Sequence, residues 1–182
     1  MGFYDGKDMA ASFRTVRRNT IQIANDIPED QYGFRPTPEL RSVAEELAHI
    51  AASTLWVVQA HEVDRVNFIT YDDFGAYMAR IADAARTLTA KTDIVSALTK
   101  NGEEFAAFLE RMTDDQLAER VGFPPPVQPP SKTRFEMLLG TKEHELHHRA
   151  KLMVIERLLG IVPHLTRARA EMPKTATKAT AP

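Results

Sequence analysis

Apolar residues recur along most of the chain at three- and four-residue steps, the spacing of one face of an α-helix. Met9, Phe13, Val16, Thr20, Ile23 and Ile27 predict a first helix over about 8–26. Pro28, Gly33, Pro36 and Pro38 then impose a loop. Ser42 and Glu45 form the S-x-x-E capping box that opens a second helix, expected to run to about His61. The stretch 62–90 is less regular, with a helix predicted from Asp72 or Asp73 and weakened by Gly75. Ile94, Val95, Leu98, Phe105, Phe108 and Leu109 mark another helix over about 91–111, and "TDDQLAERV" a further short turn. Five prolines within 124–130 forbid helix and favour an extended, polyproline-like connector. Thr133 and Glu136 repeat the capping box before a last long helix over about 134–159, which Gly160 should stop.

No strand and no internal repeat is predicted. Four long amphipathic helices imply an all-α four-helix bundle over 1–162 with short extra helices in the connections. Residues 163–182 lack apolar periodicity and are expected to form a polar, flexible tail.

Composition narrows the chemistry. Hydrophobic residues make up 43% and charged residues 26% of the 182 residues, ordinary for a globular domain. A formal net charge of −2 gives no basic face for nucleic acid. No run of about 18 apolar residues offers a membrane span, and the first residues lack a secretory pattern, so a cytoplasmic protein is expected. With no cysteine, a metal could be held only by histidines and carboxylates, and a sulfur nucleophile would have to come from a small thiol.

The candidate chemistry lies in "KEHELHHRAKL", residues 142–152. In one frame it contains H-E-x-x-H, the zinc-peptidase signature, with Glu145 as general base. That frame needs a downstream ligand, yet Lys151 and Val154 occupy the positions of the extended motif's glycine and last histidine. Glu156 is two helical turns beyond His148 and cannot turn back to the same ion. In the other frame, His144 and His148 are a pair about 40° apart on one helix face, awaiting a ligand from elsewhere. His49, mid-helix in "EELAHIAAS" on a strip with Ser53 and Trp56, is the natural third. His147 lies about 60° to the other side of His144, so His148 is nearer the strip's centre. His147 is left a neighbouring role. His61 and His164 are expected on the surface.

Two stretches carry a family resemblance: "IPEDQYGFRPTPELRSVAEELAHIA", and the final helix with a histidine three residues before His-His-Arg. Over about 1–162 the chain resembles the DinB/YfiT family of metalloproteins. The resemblance implies a four-helix bundle, often a homodimer, with one divalent ion (Zn, Ni, Fe or Mn) on His49, His144 and His148. It also implies thiol-dependent transferase, isomerase or hydrolase chemistry on a small-molecule substrate, with a low-molecular-weight thiol as possible partner. Family members often continue with Gly-Gln where this chain has Ala150 and Lys151. Glu145 and His147 are the candidates for acid–base work, and Ser53, Trp56 and Lys151 for the substrate pocket. The alternative is a non-catalytic metal-binding or stress-response bundle.

Overall fold

The computed structural model describes residues 4–172. Helices α1 (Gly6–Asp26), α2 (Val43–Val58), α3 (Tyr71–Thr87), α4 (Lys91–Arg111) and α5 (Asp114–Ala118) come first. A hairpin, β1 (Arg120–Gly122) and β2 (Ser131–Thr133), leads into α6 (Arg134–Leu158), and α7 (His164–Glu171) closes the described chain. Helices α1 and α2 each pack on both α4 and α6, which makes the four-helix bundle. Lys91 at the start of α4 reaches the Asn25 carbonyl at the end of α1, so these two run antiparallel. Glu46 and His49 of α2 face His148 and His144 of α6 in reverse order, so that pair is antiparallel too. Helix α3 packs along α2 and carries the chain back, which lets α4 run in the same direction as α2.

The core is two apolar clusters with a polar layer between them. Ile23, Leu47, Ile94, Leu98 and Leu152 belong to one cluster. Phe13, Val57, Phe105, Leu109 and Leu138 belong to the other. Burying each such side chain contributes about 1.5–3 kcal/mol, so most of the driving force is here. Between the clusters each main helix places something polar or minimal: Arg17 and Thr20, His49 and Ser53, Gly102, and Thr141 to His148. The functional residues are therefore held between two dry, close-packed blocks.

Both predicted capping boxes form, at Ser42/Glu45 and Thr133/Glu136. A third, Thr70/Asp73, starts α3 slightly before the predicted aspartates. Gly160 takes φ +78° beyond α6, the left-handed conformation that ends a helix.

Four expectations need correction. The proline-rich connector is not one extended path. Its ends pair as a two-stranded antiparallel sheet, Arg120 with Thr133 and Gly122 with Ser131, and the prolines occupy the loop between them. Prolines cannot donate to a ladder, so pairing is confined to the flanks. Second, α2 does not continue as α-helix to His61; it passes into a π-turn, Gln59–Val63. Third, that turn buries His61, which was expected on the surface. Arg134 of α6 donates to its Nδ1 at 2.8 Å. Fourth, 164–171 is helical. Arg167 pairs with Asp26 at 2.6 Å and His164 meets Asn19 at 3.3 Å, so charge and hydrogen bonds dock a helix that buries no residue. The rest of the expected tail, from residue 173, lies outside the described residues.

Candidate metal centre and its cavity

Helices α2 and α6 cross with His49 facing His144 and His148. Nε2 of His144 lies 3.2 Å from Nε2 of His49 and 3.0 Å from Nε2 of His148. One nitrogen from each ring falls within 4.8 Å of the others. Nitrogens held at about 2.0–2.1 Å by one tetrahedral ion lie about 3.3 Å apart, close to these separations. Such convergence of lone pairs is unfavourable without a proton or cation among them.

The rings are prepared for a cation. Burial foremost pushes His49 down to about 4, with Arg41 adding to it. Burial also pushes His144 down to about 4, with His148 next in effect. Both are therefore neutral near pH 7 and keep a lone pair. On His148 the choice of nitrogen is made by Glu46, whose Oε1 is 2.6 Å from Nδ1. Burial pushes the Glu46 carboxyl up, but the hydrogen bond and charge of His148, followed by the charges of Lys151 and Arg41, outweigh it and hold it at about 2. An anionic Glu46 accepts from Nδ1–H, so Nε2 is left bare and aimed at the other two rings. This carboxylate–histidine arrangement is how protein metal sites orient a ligand and raise its basicity. The residues present fit a divalent ion.

Glu46 was not among the residues predicted for the site. The one signal in the sequence was its place three residues before His49; its burial in α2 is seen only in the structure. An acidic residue in "AEEL" nevertheless reads as a solvated helix start.

Glu145 is not placed as a general base. It is 1% exposed, and its carboxylate is forked on Arg17, with Arg17 Nε 3.0 Å from each oxygen and Nη2 2.9 Å from Oε2. Thr20 Oγ1 donates to it at 2.7 Å. One residue from His144 turns a side chain about 100° around the helix, away from the histidines and into the bundle. His147 is exposed on α6 and does not join the three rings. Lys151 turns to Glu46, 3.6 Å away, and does not line the cavity described next.

His49 and His144 line a cavity of about 660 Å³, and Ser53 and Trp56 line it as expected from their strip. Its walls come from α2, α6, α3 with the segment leading into it, and the hairpin with its proline loop. That roof is tied down. Ile69 N–H donates to the Gly122 carbonyl at 3.0 Å, Gly122 N–H to the Asn67 carbonyl at 2.9 Å, and Tyr71 OH to the Pro125 carbonyl at 3.1 Å. Gly122 permits this approach, since a Cβ there would come within 2.7 Å of the Phe68 ring.

The chain is thus a helical bundle carrying a histidine triad that could hold a metal ion beside a cavity. Residues 12–152 match the DinB superfamily family model, and the chain belongs to that superfamily. It is similar to the DinB-like protein YjoA of Bacillus subtilis at 25% identity, covering 84% of this chain and 91% of that one, with TM-score 0.59. A DinB-family structure from Exiguobacterium sibiricum 255-15 shares the fold at 20% identity and TM-score 0.60, covering 87% and 95% of the two chains. An uncharacterized protein from Clostridium difficile 630 shares it at 15% identity and TM-score 0.66, covering 86% and 98%. No curated protein matches the sequence. Among the described residues, no helix is long and apolar enough to cross a membrane.

Proposed function

We propose that the protein is a divalent-metal-dependent enzyme acting on a small molecule, a thiol-dependent transferase or isomerase or a hydrolase. His49, His144 and His148 would hold the ion. The observation that carries this reading is the convergence of three imidazole nitrogens beside a roomy cavity that His49 and His144 line. Three protein ligands with open space beside them are the layout of a catalytic site, whereas storage or structural sites close the coordination sphere. Bound there, zinc, nickel, iron or manganese would supply Lewis acidity for activating a thiol or water and polarising an electrophile.

The chain's own residues do the rest. Burial keeps His49 and His144 unprotonated. Glu46 fixes the His148 ring and its tautomer. The cavity walls exclude water from one side of the centre. Trp56, on the cavity wall, lies within 6.3 Å of the Phe74 ring, edge to face, and stiffens the wall between α2 and α3.

The test is metal stoichiometry by elemental analysis after loading with each of the four ions, followed by turnover assays with small thiols and electrophiles. Wild type should bind one ion per chain. Alanine at His49, His144 or His148 should remove most of it while leaving the helical circular dichroism intact. His147→Ala should retain the ion. Glu46→Gln should weaken binding about 10–100-fold, the usual loss for a residue that orients a ligand. Full metal retention in a His148→Ala variant would overturn the ligand assignment, and loaded protein inert toward every thiol–electrophile and ester pair tried would overturn the enzymatic one.

A further inference from the structure

Apart from the Trp56 indole N–H and the Lys132 ammonium, the side-chain hydroxyls on the walls of the cavity beside the histidines are already engaged. Ser53 Oγ already donates to the Ile50 carbonyl at 2.8 Å, and Thr141 Oγ1 to the Met137 carbonyl at 3.4 Å. Tyr71 OH is spent on Pro125, and Thr70 Oγ1 on Asp73 at 2.7 Å. Glu136 accepts the capping bonds of Thr133. The remaining wall is aromatic, aliphatic or thioether, including Trp56, Phe74 and Met78. Lys132 is the cation on this wall, and it is exposed on β2, where it meets solvent. A heavily hydroxylated molecule would lose most of its hydration here with two donors, Trp56 and Lys132, to replace it. An apolar one would gain from burial over its whole length.

Gly140 bears on the same point. It sits in the interior of α6, where glycine is less favourable than alanine. A Cβ built on it meets nothing within 4 Å, so no neighbour demands the missing side chain. It lies one turn before His144, on the same face, and it lines the cavity. Any larger residue would project into the space next to the triad.

We infer that the cavity receives an uncharged, apolar substrate, an aromatic or alkyl body with one metal-ligating atom at its inner end, and that Gly140 sets the depth available to it. This rests on the metal reading for the ligating end and stands without it for the apolar body. A charged low-molecular-weight thiol is then a reactant that approaches from outside, not the occupant of the cavity.

Trp56 is the chain's single tryptophan and lines the cavity, so its fluorescence reports occupancy. Two thiols with the same ligating atom, phenylbutanethiol and cysteine, should be titrated into zinc-loaded protein, and phenylbutanol into metal-free protein. The apolar thiol should bind at least about tenfold more tightly than cysteine, a floor that burying about two methylenes alone would reach. Phenylbutanol should shift Trp56 emission saturably even without metal. Gly140→Leu should abolish both effects while keeping zinc stoichiometry and melting temperature. Met78→Lys, on another wall, gives the same readout if Gly140→Leu fails to fold. Failure to load zinc together with retained phenylbutanol binding would sink the metal reading and leave the apolar cavity standing. Cysteine binding as tightly as phenylbutanethiol, or apolar binding unchanged in both variants, would overturn the inference.

Discussion

Arg17 touches three other helices from one position on α1. It pairs with Glu145 of α6, donates to the Leu98 carbonyl of α4 at 2.7 Å, and approaches the Ile50 carbonyl of α2 at 3.5 Å. At 4% exposure its charge is tolerable only because Glu145 and these carbonyls replace water. This burial favours the metal-pair frame of the H-E-x-x-H stretch over the peptidase frame. A catalytic base could be removed with little loss of stability, whereas half of a buried ion pair cannot. Glu145→Ala should cost about 3–5 kcal/mol by stranding Arg17, a fall of roughly 10 °C in melting temperature for a domain of this size. Calorimetry checks this, and zinc content measured on the surviving folded protein should be unchanged. A variant that melted like wild type but lost hydrolysis of a peptide would restore the peptidase frame. The histidines were legible because their spacing on a helix is itself the signal. Arg17 and Glu46 were not, because one charged residue in an amphipathic helix reads as solvated unless its burial is known.

Among elements, α4 shows how a helix accommodates that buried pair. Gly102 lies where a Cβ would come within 2.8 Å of Arg17 Cγ and 2.9 Å of its Nη1. Arg17 cannot yield, because its guanidinium is held on Glu145. Alanine would improve intrinsic helix propensity by about 1 kcal/mol. Overpacking against a fixed side chain costs about 1–3 kcal/mol and should win. Gly102→Ala is therefore expected to destabilise the protein in denaturant titration. In an Arg17→Met/Glu145→Leu background, where the flexible Met can shift, the same change should become neutral or stabilising. Destabilisation of equal size in both backgrounds would show that something other than Arg17 requires the glycine. Helix α4 was readable to the residue, since its apolar stripe spans its full length. The hairpin was hidden, since three-residue strands flanking prolines have no room for alternation. Helix α7 was hidden for the opposite reason: it buries nothing, so it leaves no apolar period to read.

Across the whole molecule, charge is nearly balanced at −2, so no general repulsion sets the pH dependence of stability and single buried groups can dominate it. Glu156, near the end of α6, is 0% exposed, and neither carboxyl oxygen has a hydrogen-bond partner among the described residues. Burial pushes it up from the ordinary 4.5 to about 7, with Asp26 adding to the effect. The folded state thus holds this proton more tightly than the unfolded chain does. As pH rises past about 4.5 the unfolded chain ionises first, so stability declines, and it levels off once the folded carboxyl also ionises near 7. At 1.36 kcal/mol per pKa unit the contribution lost across this window is about 3 kcal/mol. Glu156→Gln keeps the shape and removes the titration. The variant's advantage over wild type should therefore grow by about 3 kcal/mol between pH 4 and pH 8 in urea unfolding. Parallel stability curves for the two proteins would mean that Glu156 is solvated or paired in solution.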